Sequence, residues 1–155
     1  MRISFDLDDT IISTVKFPLE KESFWSKIIR AERIRFGTIK LFKELRIQNH
    51  QIYIYTTSYR SKVKIKLMFL CYGIPVDFVI NQYLHERRVI KRGKNVSKFP
   101  PEFDIDIHID DSLGVEMEGK KFGFKTIIIS ANYENWVNEI LEKIDIVTTN
   151  KSKMV

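Results

Sequence analysis

The sequence predicts an α/β fold, a three-layer sandwich around a central and mainly parallel sheet. Three observations point to it. Short runs of apolar, aromatic and β-branched residues recur along the chain, stretches of helical period separate them, and several of the runs stop in polar clusters.

Taken in order, Arg2 to Leu7 reads as a first, buried strand closing in Asp6-Leu7-Asp8-Asp9-Thr10. Ile11 to Lys16 is β-prone and suits a short flap. From Glu20 to Leu45 the residues Phe24, Ile28, Ala31, Ile34, Leu41 and Leu45 recur at helical steps. Gly37 interrupts them, which predicts two helices joined near Thr38. Gln51 to Thr56 is a second strand, followed by the polar turn Thr57-Ser58-Tyr59-Arg60. Ser58 or Ser61 can cap the next helix, which runs to about Tyr72 and stops at Gly73. Asp77 to Ile80 reads as a third strand and the polar, basic stretch from Leu84 to Ser97 as a loop with a hairpin. Asp104 to Ile109 is a fourth strand ending in Asp110-Asp111-Ser112. A helix over Val115 to Phe122, a fifth strand over Thr126 to Ile129 and a last helix over Trp136 to Ile144 complete the pattern.

The 155 residues suit a single domain over 1–150, with 151–155 as a frayed tail, and 44% hydrophobic content is enough to build its core. Lysine and arginine exceed aspartate and glutamate by 26 to 20, a net +6 that attracts phosphorylated small molecules, nucleotides or nucleic acid. A lone cysteine, Cys71, excludes an internal disulfide and fits a reducing, cytoplasmic setting. The acidic residues near the start occupy the place of a signal peptide's apolar stretch. No apolar run approaches the roughly 18 residues of a membrane span. A soluble protein is expected, with no membrane partner and no obligate protein partner.

Asp6 and Asp8 sit one residue apart at the end of an apolar strand, and Asp110 and Asp111 end another. Ionised carboxylates crowded beside a core repel each other and resist burial. A hard divalent cation offsets that cost, and magnesium favours carboxylate oxygens together with phosphate. If the sheet is parallel, Asp6 to Thr10, Thr56 to Ser58 and Asp110 to Ser112 all fall at strand carboxyl ends, where such sheets bind ligands. His50, His85 and His108 lack the paired ligands of a zinc site, and no glycine pattern forms a P-loop.

Ile3-Ser4-Phe5-Asp6-Leu7-Asp8-Asp9-Thr10 resembles the opening motif of the haloacid dehalogenase-like (HAD) hydrolases, an apolar strand followed by Asp-x-Asp-x-Thr. Ile52 to Thr56 is similar to that family's second motif, and Ile107 to Ser112 to its fourth. The resemblance spans roughly residues 2 to 130 and implies a Rossmannoid, HAD-like fold. It also implies a magnesium-dependent phosphatase. Asp6 would be the nucleophile forming an aspartyl-phosphate, and Asp8 the general acid and base, with a further metal bond through its backbone carbonyl. Thr56 would bind a phosphoryl oxygen. Asp6, Asp8, Asp110 and Asp111 would form the metal set, with Asp111 preferred as the direct ligand from the fourth motif.

The third motif supplies a lysine, for which Lys98 leads and Lys94 and Lys91 compete. Thr57, Arg60 and Lys94 are the expected substrate contacts. Asp8 excludes the dehalogenase chemistry of the family, because dehalogenases lack that acid/base residue. The intervals before and after Thr56 are too short for a full cap domain, which leaves an open site. The expected substrate is a nucleotide or other small phosphorylated metabolite. A nucleic-acid end is the alternative, motivated by Arg87, Arg88, Lys91, Arg92, Lys94 and Lys98. A catalytically silent binding module is the reading outside enzymology.

Overall fold

The computed structural model describes residues 1–13, 15–130 and 134–152. Five strands form its sheet: β1 (Arg2–Phe5), β2 (Gln51–Tyr55), β3 (Phe78–Ile80), β4 (Ile107–Asp110) and β5 (Thr126–Ile128). Their order across the sheet is β3-β2-β1-β4-β5, and every pairing is parallel. Six helices flank it: α1 (Phe24–Ile28), α2 (Thr38–Ile47), α3 (Lys62–Cys71), α4 (Gln82–Arg88), α5 (Leu113–Phe122) and α6 (Trp136–Ser152). The predicted α/β class and layered architecture are therefore observed.

Period-two alternation assigns the faces. Ile3, Phe5, Ile52, Ile54, Ile107 and Ile109 point one way and join a single cluster with residues of α2, α3 and α6. The opposite face meets α4, α5 and the segment before β4, through Tyr55, Ile80, Val89, Phe99, Phe103 and Val115. The chain winds outward through β1, β2 and β3, then crosses back to lay β4 beside β1. That reversal makes the carboxyl ends of β1 and β4 a topological switch point, the place where open parallel sheets form a ligand crevice.

Gly37 does more than interrupt a helical pattern. It opens α2 with φ of 92°, and a Cβ there would come within 2.7 Å of the Val137 side chain on α6. Only glycine accepts both the left-handed backbone and that close approach.

Several expected boundaries change. The first helical stretch shrinks to α1, because 29–37 is irregular apart from an antiparallel bridge between Leu19 and Arg35. Within Leu84 to Ser97 the structure has α4 and a 3-10 turn (Ile90–Arg92) instead of a hairpin. Asn81 caps α4 by accepting from the Leu84 N–H, and buried His85 replaces the apolar stripe that would have advertised a helix. Strand β4 starts only at Ile107, since Asp104 adopts φ of 53° and Asp106 is used to accept from the Arg2 N–H. Cys71 is half-buried. The expected tail is helical through Ser152, and 153–155 lie outside the described residues. Among the described residues no helix is long and apolar enough to cross a membrane.

Candidate active site

Parallel pairing brings the ends of β1, β2 and β4 to one edge of the sheet, and with them the acidic clusters. Asp6 directly follows β1, is 7% exposed, and donates its N–H to the Ile109 carbonyl on β4. Asp110 closes β4 and is buried, whereas Asp111 is half-buried. One carboxylate oxygen from each of Asp6, Asp110 and Asp111 lies within 4.8 Å of the others. The chain then turns through Asp9 at φ of 62°, a conformation that aspartate tolerates better than most residues. Ile12 bridges back to Asp8 to make the short flap, and buried Thr10 donates to Asp111 at 3.4 Å.

Lys98 is the lysine that reaches Asp6. Its Nζ donates to Asp6 Oδ1 at 2.5 Å and to the Tyr55 carbonyl at 2.6 Å, and the side chain is almost fully buried. Lys94 instead is exposed and lies 3.5 Å from the centre of the Phe99 ring.

Lys98 is fixed by its neighbours. The Phe99 N–H donates to the Tyr55 hydroxyl at 2.9 Å, and that hydroxyl lies 2.6 Å from His85 Nδ1. His85 Nε2 meets the Val96 carbonyl at 2.9 Å. A carbonyl can only accept, so Nε2 carries the proton and neutral His85 accepts the tyrosine O–H at Nδ1. Burial, partly opposed by the Val96 bond, lowers the His85 pKa and burial raises that of Tyr55, keeping both neutral. From α5, Glu118 accepts from the N–H groups of Ser97 and Lys98. Nothing local in the sequence marks Tyr55 or Glu118 for this role. The structure buries His85 completely.

A second buried chain steadies Asp110. His108 Nε2 lies 3.0 Å from Asp110 Oδ2, and its Nδ1 lies 2.8 Å from the Ser4 hydroxyl. Because a carboxylate only accepts, Nε2 is again the protonated nitrogen and Ser4 donates to Nδ1. Burial holds His108 below its ordinary pKa, against the pull of Asp110. Burial also pushes Asp110 upward, but the His108 hydrogen bond and nearby Lys98 outweigh it and leave Asp110 below its ordinary value.

Asp6 has the opposite balance. Burial raises it most, Lys98 lowers it and Asp110 raises it again, so its pKa is lifted from 3.8 to about 7. Asp111 is also raised, by burial and then by Asp110. Three crowded oxygen donors, two of them reluctant to ionise, match what a hard divalent cation requires. Asp6, Asp110 and Asp111 could therefore hold a metal ion, and the side chain of Asp8 stands outside that group.

Asp8 faces the other way. Its carboxylate is half-exposed and takes two bonds from Arg60 Nη1, at 2.9 and 3.0 Å. The same guanidinium is gripped by Glu32 at 2.8 and 2.9 Å, so Arg60 is an engaged group and not an open arm. Glu32, which sequence reading did not single out, thus reaches Asp8 through Arg60. Thr56 is buried at the end of β2, accepts from the Ser58 N–H at 3.0 Å and lies 3.4 Å from Asp8, while Thr57 is exposed in the bend that follows. Asp8, Ser13, Glu32 and Arg60 help to line an open cavity of about 500 Å³.

No protein-family profile and no curated protein matches the chain. Among solved structures, a chain from "Structure of the Pnkp1/Rnl/Hen1 RNA repair complex" aligns with it at 8% identity and a TM-score of 0.49. The alignment covers 83% of this chain, which spans 42% of the length of that one. A likeness at this level speaks to neither activity nor substrate. Of the basic run, Lys98 reaches the acidic cluster, while two of its arginines turn elsewhere. Arg92 pairs with Glu102 and Arg88 lies over Phe103, both on the segment leading into β4.

Proposed function

We propose that this chain is a magnesium-dependent phosphomonoester hydrolase of the haloacid dehalogenase-like type, acting on a nucleotide or another small phosphorylated metabolite. The observation that carries the reading is the Asp6–Lys98 pair at the switch point, with Asp110 and Asp111 beside Asp6 and Asp8 two residues away. Asp6, Asp110 and Asp111 would hold the cation, joined by the backbone carbonyl of Asp8. When bound, magnesium would offset the negative charge of the cluster and of the phosphate.

The protein's own groups divide the remaining work. An ionised Asp6 oxygen bonds to phosphorus while the ester oxygen leaves with its electron pair and takes a proton from Asp8. Water then attacks the aspartyl-phosphate, giving its proton to Asp8, and phosphate departs as the Asp6 carboxylate is restored. Lys98 favours the ionised form of Asp6 against the effect of burial and balances charge gathering in the transition state. Thr56 offers its hydroxyl to a phosphoryl oxygen. Arg60, anchored by Glu32, holds Asp8 in place until the phosphate competes for the guanidinium.

The test is phosphate release from mononucleotides, sugar phosphates and oligonucleotides with a terminal phosphate, with and without magnesium. Release should require magnesium and fall at least about a thousandfold in Asp6→Asn. Turnover of Asp6→Asn close to the unaltered protein would remove the nucleophile from this reading. Silence of the folded, magnesium-loaded protein across the panel would favour a binding module.

A further inference from the structure

The outer surface of α1 and α3 is apolar where a helical layer normally meets water. Ser23, which caps α1, donates its hydroxyl to the Cys71 carbonyl at the end of α3, while Ile29 and Ala31 share a groove with Val63, Leu67 and Met68. The two segments thus run antiparallel. On α3, Ile65, Met68 and Phe69 are buried, yet Val63, Leu67 and Leu70 point outward and are 44–67% exposed. Their spacing of four and then three residues draws one stripe along the solvent side of the helix. From α1 and the residue after it, Phe24, Trp25, Ile28 and Ile29 are 46–71% exposed, with the Phe24 and Trp25 rings packed edge to face. A continuous apolar surface of this kind marks an interaction site.

Charge identifies what it meets. Exposed Lys62, Lys64 and Lys66 flank the stripe on α3, and exposed Lys27 and Arg30 flank the α1 side. Glu32, an acid in the groove wall, is already bound by Arg60, and exposed Glu22 precedes α1. Protein interfaces are depleted in lysine, and a second copy of this chain would set one cationic rim against another. Lipid interfaces favour this composition: tryptophan, phenylalanine and leucine enter the acyl boundary while lysine stems lie along the apolar surface and their charges meet anionic headgroups. We propose that the outer face of α1 and α3 docks onto an anionic lipid bilayer. The chain then lies on the surface without crossing it, contrary to the expectation of no membrane partner. Glu32 and Arg60 line both the docking groove and the cavity beside Asp8, which brings that cavity next to the lipid.

The test is co-sedimentation of the full chain with vesicles of phosphatidylcholine alone and of phosphatidylcholine containing phosphatidylserine. Trp25 emission should shift to the blue only with the anionic vesicles, while Trp136, already 3% exposed, contributes no shift. Binding should weaken with added salt and fall on the order of a hundredfold in Lys62→Glu/Lys64→Glu/Lys66→Glu. Trp25→Ser/Leu67→Ser should weaken it as well. All five side chains are exposed, and far-UV circular dichroism verifies that the variants keep their fold. Absence of binding to the anionic vesicles, equal binding to both compositions, or binding indifferent to these substitutions overturns the proposal. So does a dimer in sedimentation velocity that Leu67→Ser dissolves, since the face would then be a protein interface.

Discussion

The two faces of the sheet come from the same alternating strands and are built on different terms. One carries Ile3, Phe5, Ile52, Ile54, Ile107 and Ile109 against helices, an apolar contact throughout. The other presents Ser4, Tyr55, His108 and Asp110, buried polar groups that each find a partner. The difference teaches how the fold affords a site. The apolar face supplies stability through burial, while the polar face forms two hydrogen-bonded chains, one ending at Asp110 and the other fixing the segment that carries Lys98. A buried polar chain is tolerable only when it is complete.

The comparison breaks most visibly at the apolar face. Phe42 is 1% exposed and lies between Phe5 and Phe69, with ring centres 4.9 and 5.5 Å away. Phe42→Ala should lower stability by about 3–5 kcal/mol, read as a fall in the urea midpoint. Phosphate release per folded molecule should stay nearly constant, and a collapse of turnover in the folded fraction would show that the faces are not separable.

A smaller effect, visible through pH, belongs to Asp6. The folded state holds its proton up to about pH 7, whereas an ordinary aspartate releases it near 3.8. Between those values the folded state binds the extra proton, so stability falls as pH rises and the penalty is complete above the folded pKa. Asp6→Asn removes this term. Without divalent cations it should lack that downward slope, so the difference between the two proteins should move in its favour as pH rises towards 7. Parallel stability curves for the two proteins would contradict the assignment of this burden to Asp6.

The smallest expected change sharpens the contrast. Tyr55→Phe leaves the Phe99 N–H and His85 Nδ1 without their partner, for a loss of about 1–3 kcal/mol. Unlike Phe42→Ala, it should also reduce turnover in the folded fraction, because Phe99 adjoins Lys98. A Tyr55→Phe variant with full turnover would mean that Lys98 is held without this hydrogen-bonded chain.

The strands and the positions of the acidic clusters were legible because both are local signals. Alternation marks a strand, and a polar group at its end marks the edge of the sheet. Helix α4 escaped because its buried side chain is His85, which satisfies hydrogen bonds and carries no apolar period. The first predicted helix shortened to α1 because most of its apolar residues face outward, so the helical repeat there did not describe a core.

By itself the sequence determined the α/β class and set Asp6, Asp8, Thr56, Asp110 and Asp111 at strand ends, since those features follow from backbone periodicity over a few residues. The tertiary structure alone decided that Lys98 lies on Asp6 across 92 positions, and that Arg60 reaches Asp8 across 52 with Glu32 behind it. Long cationic side chains choose among partners by reach and by what else is buried nearby, and no local pattern encodes that choice.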